Sequence, residues 1–309
     1  YKDIVAAHSL VGKFAHRTPV LTSRSINQIT GGKLYFKCEN FQKVGAFKFR
    51  GATNAVMSLS AEKAARGVCT HSSGNHAAAL ALAAKNRGVA AYVVMPENAP
   101  ETKKKAVAGY GAEITFCEST LKARETTLVK ILSEKGATEI HPYDNFDVIA
   151  GQGTAAMEML EDETDLDIVL VPVGGGGLLA GSAIAVKHIS ATTKVIGCEP
   201  EGADDAYRSW LKGEIVPSIN PQTIGDGLLT SLGKRNFTIM KNDVDEIVTV
   251  SEESIIQAMR MVWERMKIII EPSSAVPLAA ILQGKVNTQN KKTGLIISGG
   301  NLDLEKLPF

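Results

Sequence analysis

The sequence predicts an α/β protein built on doubly wound parallel sheets, and three observations carry that prediction. Short β-branched or apolar runs alternate with longer stretches of helical periodicity along the whole chain. Several runs end in a glycine- or serine-rich turn that opens the next helix, as in parallel strands covered on both faces by helices. With 309 residues, 44% of them hydrophobic, the chain can bury a large core, and its length suits two domains.

Taken in order, strands are expected at 34–37, 67–70, 90–95, 113–117, 168–173, 194–198, 246–250 and 294–298. Helices are expected at 75–87, 120–135, 144–160, 178–189 and 252–267. The block from about 67 to 141 has its own strand–helix alternation and is expected to form a small domain, leaving the flanking segments to make a larger one. An active site would then lie in the cleft between them. The run Lys103-Lys104-Lys105 reads as a solvated helix face rather than a binding patch.

Composition narrows the function classes. Lys and Arg number 34 against 33 Asp and Glu, a formal charge of +1 that gives no field for gripping nucleic acid or an anionic membrane. No run of about 18 apolar residues could span a bilayer, and no charged-then-apolar leader opens the chain at Tyr1. Cys38, Cys69, Cys117 and Cys198 form no CxxC pair and read as reduced core residues of a cytoplasmic protein.

Three motifs carry chemistry. Lys48 sits in Gly45-Ala46-Phe47-Lys48-Phe49-Arg50-Gly51, among aromatic and small residues at the start of an apolar helix. Burial there would lower its pKa and free a neutral amine to condense with an aldehyde or to move a proton. The plain alternative is a lysine that snorkels to water. Gly174-Gly175-Gly176-Gly177-Leu178 follows a strand and opens a helix, so backbone N–H groups can close on a phosphate. Ser298-Gly299-Gly300-Asn301 ends a second apolar strand.

A dinucleotide site fits the glycine segment as well. Gly175-x-Gly177-x-x-Ala180 matches that fingerprint, and Glu199 closes the next strand where a ribose-binding acid would stand. Hydride transfer, however, has no use for a buried Lys48 or for the Ser298 motif, whereas a phosphorylated aldehyde cofactor uses all three. Ser72-Ser73-Gly74-Asn75-His76 also follows a strand and opens a helix, a place suited to a substrate carboxylate or simply to an N-cap and turn. His76 reads more readily as a structural histidine than as a base.

Together with Thr18-Pro19-Val20-Leu21 and Phe36-Lys37-Cys38-Glu39-Asn40-Phe41-Gln42, these motifs resemble, essentially end to end, the fold type II pyridoxal-phosphate enzymes of the tryptophan synthase β-like family. Within that family the chain is most similar to eukaryotic-type serine racemases. The resemblance implies a large cofactor-binding domain from 1–62 and 145–309, a small domain at 63–144, and a homodimer. It implies that Lys48 holds pyridoxal 5′-phosphate as a Schiff base, with Phe47 stacked near the ring and Asn75 at the ring hydroxyl. Gly174, Gly175, Gly176, Gly177 and Leu178 would cradle the phosphate, Ser298 would face the pyridine nitrogen, and Gly227 and Glu271 would complete the set.

The implied substrate is an amino acid whose carboxylate docks on Ser72, Ser73, Asn75 and His76. Lys48 and Ser73, acting from opposite faces, would interconvert L- and D-serine, and loss of the hydroxyl would give pyruvate and ammonia. Related threonine dehydratases usually carry alanine where Ser73 stands, which ranks racemisation above threonine dehydration. Arg124, in Lys122-Ala123-Arg124-Glu125, matches a position near the substrate and could meet a second carboxylate, so 3-hydroxyaspartate dehydration is an alternative; an exposed helix arginine is the other reading.

Glu199, Ala203 and Asp205 resemble the family's divalent-cation site, with oxygen ligands suited to Mg²⁺ or Ca²⁺, though the spacing equally suits a capped loop of solvated acids. Lys43, Tyr110 and Asn301 match positions of the family's ATP effector site. Arg24, Ser25, Val44 and Ala78 depart from the animal pattern, and Ala77-Ala78 is plant-like. From other classes, the competing readings are a nicotinamide oxidoreductase and a catalytically silent amino-acid sensor.

Overall fold

The computed structural model describes residues 1–72 and 74–309. Ten strands follow in chain order: β1 (Val20–Leu21), β2 (Lys33–Cys38), β3 (Val68–His71), β4 (Ala91–Pro96), β5 (Glu113–Cys117), β6 (Thr138–Glu139), β7 (Ile168–Pro172), β8 (Lys194–Pro200), β9 (Glu246–Val250) and β10 (Lys292–Ile297). Helices from the first half are α1 (Lys2–Val11), α2 (Arg24–Thr30), α3 (Lys48–Ser58), α4 (Ala61–Ala65), α5 (Asn75–Arg87), α6 (Glu101–Gly109) and α7 (Leu121–Lys135). The second half adds α8 (Phe146–Asp162), α9 (Gly177–Ile189), α10 (Asp205–Lys212), α11 (Lys234–Asp243), α12 (Glu252–Met266) and α13 (Pro272–Leu282).

The strands divide into two sheets. One has six strands in the order β1-β2-β10-β7-β8-β9, and the other has four in the order β5-β4-β3-β6. All pairings are parallel except that of β1 with β2. Every strand expected from the sequence is present, displaced by no more than a residue or two at most ends.

Both faces of the six-stranded sheet are covered, which is why its strands read as continuous apolar runs rather than alternating ones. On one face Leu34, Phe36, Leu170, Leu295 and Ile297 pack with α2, α12 and α13. On the other, Val169, Val171, Val195 and Ile296 pack with α1, α8, α9 and α11. The four-stranded sheet is sandwiched between α5 and α7 in the same way. Cys38, Cys69, Cys117 and Cys198 are all unpaired and buried, on strands of both sheets. Among the described residues no helix is long and apolar enough to cross a membrane.

Helix α3 carries Lys48 and crosses α8 closely. A Cβ at Gly151 would lie 2.6 Å from the Cα of Gly51, so the two backbones meet only because both positions are glycine. Two residues past Lys48, the Arg50 guanidinium is fully buried and bridges Glu39 (2.7 and 2.8 Å) and Glu158 (2.7 Å to each oxygen), with Lys37 also 2.7 Å from Glu158. Each charge is matched, so burial is tolerated; removal of one partner would cost about 3–5 kcal/mol. This network fixes α3 against β2 and α8.

The lysine run of α6 departs from expectation. Lys103 pairs with Asp226 of the larger unit, and Lys104 donates to Glu97 O (2.7 Å) and Glu101 (2.8 Å), leaving Lys105 as the exposed member. Neighbouring positions on a helix point about 100° apart, so a run of three cannot share one solvent face.

Candidate active site

In the six-stranded sheet the strand order reverses between β10 and β7, the position where open α/β sheets form a crevice. The pairing of these strands ends at Leu295 with Leu170, so their last residues part and the crevice opens. Ser298 leaves the end of β10 and the four glycines leave the end of β7. Ser72 follows the end of β3 in the other sheet, and Asn75 at the start of α5 faces the same opening, where it bonds to Glu271 and Asn301.

Lys48 is brought to this crevice by the backbone. The Phe47 N–H donates to Ser298 O at 2.9 Å, and Ala46 forms an antiparallel bridge with Gly299. The Lys48 ammonium donates to Pro142 O at 2.9 Å and lies 5.1 Å from the Phe47 ring centre and 5.9 Å from that of Tyr143. Burial lowers its pKa to about 8, against a partial restoring pull from Glu271. The amine is therefore not a lysine snorkelling to water.

The glycine segment is open to an anion. Gly176 adopts φ +88° and caps α9 with no side chain. From Gly174 to Leu179 no backbone N–H finds an acceptor among the described residues, and the helical ladder begins at Ala180. Side chains are excluded by contact: a Cβ at Gly174 would meet Leu228 Cα at 3.0 Å, one at Gly175 the Tyr143 ring at 2.3 Å, and one at Gly177 Tyr143 O at 3.0 Å. Unpaired N–H groups at a helix start are a ready anion site.

Across the crevice, Ser298 is 3% exposed and its hydroxyl lies 3.0 Å from that of Ser274, which also donates to Gly299 O at 2.7 Å. Asn75 Nδ2 donates to both Glu271 oxygens at 3.1 Å, and Asn301 Nδ2 donates to Asn75 Oδ1 at 2.9 Å. Burial, then the charge of Asp226, pushes the Glu271 carboxyl up to about 7. Gly227 donates its N–H to Ser273 Oγ at 3.2 Å. His76 is 2% exposed, with Nε2 3.0 Å from Ile140 O, and burial drives its pKa down to about 3. One ring nitrogen is thus committed to the fold, while Nδ1 is buried without a partner among the described residues. Ser72 Oγ accepts from the Gly74 N–H, and Ser73 lies outside the described residues.

The model of the family described as "Pyridoxal-phosphate dependent enzyme" matches residues 11–299. The chain belongs to this family. It is 52% identical to a serine racemase of Dictyostelium discoideum over 99% of this chain and 96% of that protein. It is 48% identical to a β-hydroxyaspartate dehydratase of Paracoccus denitrificans over 100% of this chain and 98% of that one. The crystal structure of the Dictyostelium enzyme superposes with a TM-score of 0.94 at 52% identity, covering 98% of each chain.

The residues of this pyridoxal-phosphate enzyme fit its cofactor. A desolvated amine suits the aldehyde, a run of unpartnered N–H groups suits the phosphate, and a buried hydroxyl suits a ring nitrogen. The family match displaces the nicotinamide reading. Glu199, which that reading would spend on a ribose, is fully buried and accepts the N–H groups of Ala206 (3.1 Å) and Tyr207 (2.9 Å).

Around the core of the site the other expected residues fall into three groups. Arg124 is half-buried; burial and then the Arg124 charge lower the His71 pKa, whereas burial pushes the Tyr143 hydroxyl up to about 12 against a minor opposing pull from Arg124. Burial and then His71 hold His141 down to about 4. In the 199–205 loop, Asp205 accepts the Leu232 N–H at 2.9 Å, while its Oδ1 is buried with no partner among the described residues. Burial and the charge of Asp205 raise the Glu199 carboxyl well above the usual range. Among the described residues no three His, Cys, Asp or Glu side chains gather around a common point.

Tyr110 and Asn301 line a cavity of about 550 Å³ together with Lys103 and Lys306, but Lys43 does not; its ammonium lies 5.8 Å from the Phe49 ring centre. Sequence reasoning missed Tyr143, Pro142 and Ser274. An aromatic residue beside a proline at the exit of β6 was the available signal for the first two; nothing in the sequence marks Ser274.

Proposed function

We propose that this chain is a serine racemase that also eliminates water from serine, and that it works with pyridoxal phosphate. The observation that carries the reading is the Lys48 amine, brought to the crevice beside Phe47 and Tyr143 and lowered by burial to a pKa of about 8, so that near neutral pH a neutral form is available to take the proton from Cα of a bound amino acid. When bound, pyridoxal phosphate supplies the electron sink for that bond cleavage. The N–H groups from Gly174 to Leu178 would hold its phosphate, Ser298 its ring nitrogen, and Phe47, Asn75, Gly227 and Glu271 its ring. Ser72, Ser73, Asn75 and the His76 N–H would take the substrate carboxylate at the start of α5. Ser73, assigned from the sequence motif, would return a proton to the face opposite Lys48. A hydroxyl rather than a carboxylate at the ring nitrogen leaves the ring unprotonated, which suits both reprotonation and elimination. The identity with the Dictyostelium racemase supports this assignment.

A second reading is dehydration of 3-hydroxyaspartate. Arg124, whose charge is felt at His71, would suit a second carboxylate, and the Paracoccus relative supports it.

The buried Glu199–Asp205 pair, with one oxygen unpartnered, supports a Mg²⁺ or Ca²⁺ site completed by the Ala203 carbonyl and water. The 550 Å³ cavity gives room for ATP as an effector next to Asn301. The separate four-stranded sheet supports 63–144 as the small domain. Unpaired thiols support a cytoplasmic setting, and exposed Phe41 and Ile269, joined through the Asn40–Ile269 hydrogen bond, supply apolar surface for a homodimer.

The test is an assay of L-serine, D-serine, L-threonine and the threo and erythro 3-hydroxyaspartates, with and without Mg²⁺ and ATP. D-serine and pyruvate are expected from L-serine, and Ser73→Ala is expected to keep pyruvate formation and lose D-serine. Ammonia release confined to a hydroxyaspartate, with no D-serine formed, would replace the first reading by the second.

A further inference from the structure

We infer that Asn236 is a positioning residue for the phosphate cradle, holding the Gly175 carbonyl so that the N–H groups of the loop stay turned to the crevice. The inference rests on membership of the pyridoxal-phosphate family and not on the choice of substrate.

Asn236 lies in the first turn of α11 and is fully buried. Its Nδ2 donates to Gly175 O at 2.6 Å and to Tyr143 O at 3.2 Å. The Gly233 N–H donates to the same Gly175 oxygen at 3.1 Å. Both neighbours of the amide nitrogen are carbonyl oxygens, so the amide orientation is settled: turned over, it would set oxygen against oxygen. The other end of the amide, Oδ1, is buried without a partner among the described residues. A side chain present only to fill space would not carry that cost, since leucine of similar size would pack without it. Asn236 is there for its donor.

Four consecutive glycines have more conformational freedom than any other tetrapeptide, so the cradle shape must be imposed from outside the loop. A trans peptide points its C=O and N–H in opposite directions, and no peptide among the described residues is cis. Two donors from the start of α11 draw the Gly175 oxygen inward, which directs the Gly176 N–H away from α11. That N–H belongs to the run with no protein acceptor among the described residues. The Tyr143 contact is the weaker of the two and has reinforcement: His141 Nδ1 accepts the Asp144 N–H at 2.9 Å, and Arg235 donates to Asp144 O at 3.0 Å. Losing the Asn236 donor therefore leaves the Gly175 oxygen to the longer Gly233 bond alone and loosens the cradle, while the segment beside Lys48 stays held.

The test titrates apoprotein with pyridoxal phosphate and with pyridoxal, following the absorbance of the bound aldehyde. In Asn236→Leu the dissociation constant for pyridoxal phosphate is expected to rise at least about tenfold, and that for pyridoxal, which lacks the phosphate, to change by less than about twofold. Asn236→Ala, which removes the donor without added bulk, takes its place where the leucine variant does not fold. Unchanged affinity for pyridoxal phosphate, or equal weakening of both ligands, overturns the inference. No turnover is read, so a wrong substrate assignment would leave this result standing.

Discussion

Alanine at position 175 is the sharpest probe of the cradle. The Cβ it adds would lie 2.3 Å from Tyr143 Cγ and 2.4 Å from Cδ1 and Cδ2, where ordinary contact begins at 3.4 Å. The ring must therefore retreat by about 1 Å, the difference between 3.4 and 2.3 Å, or the loop must yield by as much. Neither is free to do so. The Tyr143 ring packs edge-on against His141 at 4.6 Å, and the Gly175 carbonyl is held by Gly233. Overpacking of this kind costs about 1–3 kcal/mol. Expressed in the cofactor-bound state, that is a loss of about 5- to 150-fold in pyridoxal phosphate affinity. The assay is a cofactor titration of apoprotein beside a thermal melt. Gly109→Ala serves as control, since a Cβ there meets nothing within 4 Å. Gly175 has no positive φ, so backbone strain does not enter. If Gly175→Ala binds cofactor and melts like Gly109→Ala, the steric reasoning about the cradle is wrong.

Two further outcomes follow from buried charge. His76 has a folded pKa of about 3 against about 6.5 unfolded, so below pH 6.5 the unfolded chain takes up a proton that the folded one refuses. Stability is full above pH 6.5 and falls as the pH drops toward 3; at pH 5 the loss from this residue is about 2 kcal/mol, 1.36 kcal/mol for each of 1.5 units. His76→Asn, which keeps a donor for Ile140 O, should remove about that much of the difference between urea denaturation at pH 7 and pH 5; an unchanged difference would show that His76 is not held neutral. For the 199–205 loop, treatment with a chelator should lower the melting temperature, and Mg²⁺ or Ca²⁺ should restore it, since a cation at a hundredfold excess over its Kd contributes about 2.7 kcal/mol. A melt indifferent to both would leave the Glu199–Asp205 pair without a metal.

Strands were legible because burial on both faces writes them as continuous apolar runs, as in Ile168-Val169-Leu170-Val171 between Asp167 and the glycine turn that begins at Gly174. Helix α13 was not legible. It is buried throughout, contains Pro277, and shows no polar face for a periodicity to register. The two-residue strands β1 and β6 are too short to carry any pattern. At the site, Lys48, the glycines and Ser298 could be found because each follows or ends an element whose chemistry is local. Tyr143 and Ser274 could not, because their meaning depends on which strands become neighbours. The role of Lys103 was hidden for the same reason: its partner Asp226 is far away in sequence, and a lysine run read alone looks solvated. His76 shows the reverse case, in which a titratable residue inside a motif proves to be committed to the fold.

We propose that the Lys48 amine, alone among the lysines of this chain, carries pyridoxal phosphate. Reduction of the purified holoprotein with borohydride, followed by peptide mapping, tests it most directly. A yellow protein that bleaches on reduction is expected, with the pyridoxyl mass on the peptide containing Lys48 and none in Lys48→Ala. A label on another lysine such as Lys43 or Lys103, or a protein that takes up no cofactor with Lys48 intact, would contradict it.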